Sequence, residues 1–281
     1  MMNRTTKSTI LHIVLFIIAL LSAIFFALPF IYMILMSLMK SSNAIFQMPP
    51  TVYSGTLKFK NYVDAWNEIN MGKLILNTII MVVCSMSIGI SASILVAYGF
   101  SRFRNKYSNV FFVILLSTMM IPWVVTMIPA YAEFDMLNWT GTRLPLIIPW
   151  IGGSAFNVFM LRQFMDDIPH ELDEAAIMDG ANTFTILIKV ILPQMGPCIA
   201  TLTVYSFINA WSDYVGPSIY FQANPDIYTL SLGMQQFFSS NDTADWTHVM
   251  AASVIFSIPM VLVISLAQKA IVRGVVSTGI K

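Results

Sequence analysis

Charge is what this chain has least of. Asp, Glu, Lys and Arg together make up 10% of its 281 residues, where a soluble domain carries about 25%. That is too little to keep a folded surface in water. With hydrophobic residues at 57%, the chain reads as an integral membrane protein. Net charge is +1 and no basic cluster could track a phosphate backbone, which argues against a nucleic-acid partner. Cysteine is scarce too: Cys84 and Cys198 both fall inside apolar runs, at no disulfide or metal-ligand spacing, and read as packing residues. His12, His170 and His248 are far apart in sequence and form no ligand pattern.

Other absences bound the activity. No G-x-x-x-x-G-K-[ST] loop is present to cradle a nucleotide's phosphates, since Gly72-Lys73 is followed by Leu74. The apolar runs hold almost no ionisable residue; Asp213 is the nearest case. Buried acids, or broken helices in matching halves, are what ion-coupled carriers commonly show. No nucleophile–base pair or metal cluster suggests catalysis within the membrane. A chain of this kind that moves a solute uphill must draw the energy from another chain. An ATP-independent carrier or channel for a small polar solute is the alternative.

What the sequence does contain is membrane-length hydrophobic runs. A spanning helix needs about 20 predominantly apolar residues, and six segments qualify: Ile10–Leu38, Leu74–Phe100, Ser108–Ala130, Leu144–Leu161, Gly196–Val215 and Val249–Val272. The first run follows Arg4 and Lys7 but is too long for a signal-peptide core, so it is expected to be an uncleaved helix. Pro122 and Pro129 predict kinks in the third. With the N-terminus inside, Lys40, Lys58, Lys60, Lys73 and Arg143 fall outside and the other ten of the 15 Lys and Arg residues fall in the cytoplasm. The expected fold is therefore an all-α integral membrane protein of about six transmembrane helices. Residues 1–281 form a single membrane domain, with both termini cytoplasmic.

Small residues Ser85, Gly89, Ser93 and Ala97 recur every fourth position in the second run, a seam for close approach of another helix, in this chain or a second subunit. Trp66, Trp139 and Trp246 lie at expected interfaces, where aromatic rings favour headgroup depth.

The fourth and fifth runs are joined by a cytoplasmic loop of about residues 162–194 that concentrates six acids: Asp166, Asp167, Glu171, Asp173, Glu174 and Asp179. Pro169 suits a helix start, where its missing N–H costs nothing. Glu171, Asp173 and Glu174 complement the positive end of the helix dipole, and Gly180 supplies a left-handed stop. An anionic inner leaflet would repel such a helix, leaving it available for a partner. The chain then turns back through Thr183–Leu192 toward the membrane.

Within this loop Glu174-Ala175-Ala176, Asp179-Gly180-Ala181, Leu192-Pro193 and Pro197 resemble the signature of permease subunits of bacterial binding-protein-dependent ATP-binding-cassette (ABC) importers. Leu187 and Val190 stand where that family often has Phe and Ile. The resemblance extends along most of the chain and narrows to the carbohydrate-type, maltose-permease-like branch. It rests on Leu28-Pro29 with Ser37-Leu38-Met39-Lys40, on Asn61-Tyr62 with Trp66, on Asn77-Thr78 and on Ala97-Tyr98-Gly99-Phe100-Ser101-Arg102. Asn209-Ala210-Trp211-Ser212-Asp213-Tyr214 also fits, with Ser212 where the family usually has Asn.

The resemblance implies that the loop carries a coupling helix seated on an ATPase subunit. Glu174, Ala175, Ala176, Asp179, Gly180 and Ala181 would be the coupling residues. The implied activity is import of a sugar or oligosaccharide across the bacterial inner membrane. Implied partners are a second homologous permease, two ATPase subunits that bind ATP and Mg, an extracytoplasmic solute-binding protein and the lipid bilayer. The chain itself would hold no cofactor and catalyse no reaction.

Overall fold

A computed structural model describes residues 4–40, 56–103, 105–221, 224–239 and 245–278; Arg104, one of the cytoplasmic cations of the sequence reading, lies outside them. Every regular element among these residues is helical: α1 (Arg4–Ser37), α2 (Lys60–Glu68), α3 (Met71–Arg102), α4 (Ser108–Thr118), α5 (Trp123–Met136), α6 (Leu144–Ile147), α7 (Ala155–Asp166), α8 (Glu171–Met178), α9 (Thr183–Ile186), α10 (Gly196–Ser212), α11 (Val215–Tyr220), α12 (Leu230–Ser239) and α13 (Trp246–Thr278). Five helical stretches are long and apolar enough to cross a membrane, or six if one bent pair counts as a single span.

That bent pair is the main departure from the sequence reading. The third run is broken rather than kinked: α4 and α5 meet at 94°. Pro122 sits in extended conformation as the cap of α5. Its ring disfavours helical geometry at Ile121 and it has no amide to carry the ladder across. Pro129, by contrast, stays inside α5.

The fourth span begins as α6, continues as a 3-10 helix over Ile148–Gly152, and restarts as α7 after Gly153, whose φ is +75°. The fifth starts earlier than its hydropathy suggests. The apolar helical stretch runs Thr183–Ser212, so the part of the loop expected to turn back is already helix. There α9 widens into a π turn over Leu187–Ile191, then tightens into a 3-10 turn over Leu192–Met195 before α10. Pro193 explains the irregularity, because its ring crowds the carbonyl four residues back and its nitrogen donates nothing. Helices α2, α11 and α12 were not legible as apolar runs. Asp213 lies just past α10, where its Oδ1 accepts from the Gly216 amide at 3.0 Å.

The chain packs as two compact units, Met1–Met71 with Gln236–Ser257 and Gly72–Gln235 with Ile258–Lys281. In the first, buried Asn61 donates to the carbonyls of Ser37 and Met39 at 2.9 and 2.8 Å, fixing α2 to the end of α1. His248 contacts Glu68 at 3.0 Å. Side chains of α1 from Leu11 to Leu21 are exposed, as expected of a lipid-facing helix.

In the second unit the small-residue seam is internal. Ser85, Gly89, Ser93 and Ala97 are all buried on α3. A Cβ on Gly89 would stand 3.4 Å from the Trp150 ring, and one on Gly153 would be 2.9 Å from Ser93 Oγ. The Ser154 amide donates to that same oxygen at 3.0 Å. Near the other end of α3, Asn77 Nδ2 donates to the carbonyls of Asp226 and Tyr228 at 2.9 and 3.0 Å, and its Oδ1 accepts from Arg143 at 2.7 Å. The Leu230 amide donates to Thr78 Oγ1 at 2.7 Å. Lys73 pairs with Asp226 there, and this hydrogen bond holds the Asp226 carboxyl below its ordinary range.

A candidate coupling site built on the acidic loop

The core of the second unit lies under the acidic loop. Ala97 and Tyr98 of α3, Val158, Leu161 and Met165 of α7, and Ile186, Leu187, Ile191, Met195, Cys198 and Leu202 of the fifth span form one buried cluster. Onto this cluster the loop lays only two small residues of the motif, Ala176 and Ala181.

Helix α8 spans Glu171–Met178, with Glu171, Asp173 and Glu174 in its first turn. Its C-terminus is closed by a Schellman motif. The Gly180 amide donates to the Ile177 carbonyl at 2.9 Å, and the Ala181 amide to the Ala176 carbonyl at 2.9 Å. Gly180 adopts φ +81°, the left-handed conformation this motif requires and glycine tolerates best. Ala176 and Ala181, the two residues bridged by the longer loop of the motif, are those that meet the core. Asn182 then caps α9 through its side chain, which accepts from the Thr185 amide at 2.8 Å.

The remaining motif residues point away from the core: Glu174, Ala175, Asp179 and Gly180 are exposed. Beside them sit two apolar side chains that sequence reasoning passed over, Ile177 at 59% exposure and Met178 at 88%. Acids and unsheltered apolar groups thus share one short helix. Both fall in the loop already read as cytoplasmic, but no local pattern in the sequence marks them as exposed beside its acids.

Asp173 alone among the acids of α8 turns inward. Its Oδ2 lies 2.7 Å from Nε of Arg102, at the end of α3, with side-chain exposures of 13% and 4% respectively. The contact is close but off-axis for the Nε–H, so the attraction is coulombic rather than an aligned hydrogen bond. Arg102 Nη2 donates to the Ile168 carbonyl at 3.0 Å. Ser101 Oγ donates to Asp166 Oδ1 at 2.6 Å and Tyr98 Oη to the Thr183 carbonyl at 3.3 Å. The last turn of α3 therefore holds the loop at its entrance, in its helix and at its exit. Arg162 is accounted for separately, stacked over the Phe112 ring at 3.9 Å.

Residues 89–277 match the family model described as binding-protein-dependent transport system inner membrane component, and the chain belongs to that family. Among its relatives, the sn-glycerol-3-phosphate transport system permease protein UgpE of Pectobacterium atrosepticum is 33% identical over 84% of this chain and 86% of its own length. The probable starch degradation products transport system permease protein AmyC of Thermoanaerobacterium thermosulfurigenes is 33% identical over 90% and 91%. Among solved structures, a chain of a bacterial ABC transporter involved in the import of the acidic polysaccharide alginate superposes with a TM-score of 0.78 at 25% identity, covering 96% of this chain and 98% of that one.

Proposed function

We propose that this chain supplies half of the translocation pathway of an ABC importer for a sugar or oligosaccharide, and that α8 is its coupling helix. The observation that carries the reading is the division of labour within the motif. Ala176 and Ala181 rest on the core, while Glu174, Ala175, Asp179 and Gly180 stand exposed beside Ile177 and Met178. That surface suits a groove offering both apolar contact and basic side chains. An ATP-binding-cassette subunit would provide it, bind ATP and Mg, and perform the hydrolysis. A second homologous permease would complete the pathway, and an extracytoplasmic binding protein would deliver the solute. The distribution of Lys and Arg supports placing both termini and α8 in the cytoplasm. The two compact units then act as one permease domain.

The relatives named above serve glycerol phosphate, starch degradation products and a polysaccharide, all hydroxyl-rich solutes. That common chemistry supports a saccharide as the cargo. Closure of the ATPases would draw the coupling helices together and favour one facing state of the permease pair. This is a population shift driven by contacts that differ between two states.

The test is co-purification from native membranes in mild detergent. Wild-type protein should bring down an ATPase and a second permease. Glu174→Lys should insert normally but lose the ATPase and ATP-dependent uptake. Uptake undiminished in that variant, or a wild-type protein that purifies without an ATPase, favours the ATP-independent carrier instead.

A further inference from the structure

We propose that Arg102 is the positioning residue through which motion of α8 reaches the second membrane span. The inference rests on the coupling reading and deepens it: the exposed face of α8 receives the partner, and the buried Arg102–Asp173 pair passes the displacement on. Three observations carry it. The pair is the link from α8 itself to a span, at 2.7 Å, and both side chains are largely shut off from solvent. Among the described residues no other side-chain hydrogen bond or ion pair joins α8 to a membrane span. The same guanidinium grips the Ile168 carbonyl at 3.0 Å, just ahead of the helix. Finally, Ser101 and Tyr98 bind Asp166 and Thr183 from the same turn of α3. The loop is thus carried by the end of α3 as a unit. The other contact of α8 with this cluster comes from Ala176, joined by Ala181 just past the closing turn, both with little surface. A contact made of two alanine methyls can slide, whereas a charge pair in a low-dielectric setting cannot separate without large cost.

Transmission between sites requires a physical element that both sites bias, and the proposal assigns that role to this pair. In this proposal Arg102 acts through Asp173 and α3, not on solute or nucleotide. A purely structural role makes a different forecast. Removing one partner of a buried pair leaves an uncompensated charge and destabilises. Replacing both with neutral groups of similar volume is often tolerated.

The discriminating experiment uses the complete importer in proteoliposomes with its binding protein and solute. Uptake and ATP hydrolysis are measured together for Arg102→Met, and for Arg102→Met combined with Asp173→Asn. The double variant, which buries no unpaired charge, should assemble with the ATPase and hydrolyse ATP near the wild-type rate. It should move about tenfold less solute per ATP, within the range of ordinary coupling energies. Exchanging the pair, Arg102→Asp with Asp173→Arg, should recover part of that ratio. A double variant with the wild-type ratio overturns the proposal, because the pair then serves only folding. So does one that loses the ATPase, because the pair then serves docking. Glu174→Lys run alongside keeps the two readings apart. Loss of ATPase in Glu174→Lys, with full coupling in the Arg102 variants, leaves α8 as the docking helix and removes Arg102 from the relay.

Discussion

The Ala181 amide donates to the Ala176 carbonyl at 2.9 Å, so the two alanines that seat the acidic loop on the core are also joined to each other through the backbone. The turn that joins them depends on Gly180 at φ +81°, with nothing within 4 Å of the place a Cβ would occupy. The cost of a side chain there is conformational and not steric. Gly180→Ala should therefore destabilise the closed turn by about 1 kcal/mol, and Gly180→Asn by less, since Asn tolerates the left-handed region. Thermal unfolding of the detergent-solubilised protein gives the order. A loss for Asn as large as that for Ala would contradict it.

The exposed apolar pair on α8 makes a separate forecast. If Ile177 and Met178 enter a groove on the ATPase, each contributes about 1.5–3 kcal/mol of burial on association. Ile177→Asp with Met178→Asp should then weaken capture of the ATPase by about tenfold or more, while membrane insertion and the melting temperature of the isolated chain stay unchanged. Pull-down against a titrated ATPase subunit measures the first, and differential scanning fluorimetry the second.

Asn77 is the buried hub at the other end of α3. Substituting Ala leaves two carbonyls and the Arg143 guanidinium without their partner, and each such loss costs about 1–3 kcal/mol. Asn77→Ala should lower the unfolding midpoint markedly. Lys73→Ala, which removes only the exposed ion pair with Asp226, should leave the midpoint almost where it was. Equal effects from the two would refute the ranking by burial.

The break between α4 and α5 decides the topology. Counted as one span, the bent pair gives six crossings and returns both termini to the same side. As a re-entrant loop it gives five and puts them on opposite sides. In a background with Cys84 and Cys198 replaced, a cysteine introduced at Met136, 84% exposed, should react with a membrane-impermeant maleimide in intact cells. One at Met178 should react only in inside-out vesicles. A Met136 site that labels solely from the inside would establish the re-entrant form.

Much of this was legible in the residues, for identifiable reasons. Composition alone places a span, because the bilayer demands length and hydropathy and little else. The closing turn of α8 was readable because Gly180 is a local requirement of a local motif. The small-residue seam was readable as a seam, though its partner, the segment around Trp150 and Gly153, was not. Arg102 and Asp173 show why. Their contact joins positions far apart in sequence, and no local pattern marks either as buried. The break at Pro122 illustrates another limit, since proline announces an interruption while the angle depends on what packs around it. Ile177 and Met178 fall in the loop read as cytoplasmic, where apolar residues suggest burial on the core, and only the fold shows them exposed.

Helix α3 is 32 residues long, about 48 Å at the usual rise, and unbroken. An α-helix of that length tilts or slides far more easily than it stretches, because stretching would pull every turn's hydrogen bonds apart together. One end holds the acidic loop through Arg102 and the other holds residues 226–230 through Asn77 and Thr78. The helix is therefore built like a connecting rod. On the coupling proposed above, a stroke delivered at one end would reappear at the other with its length intact.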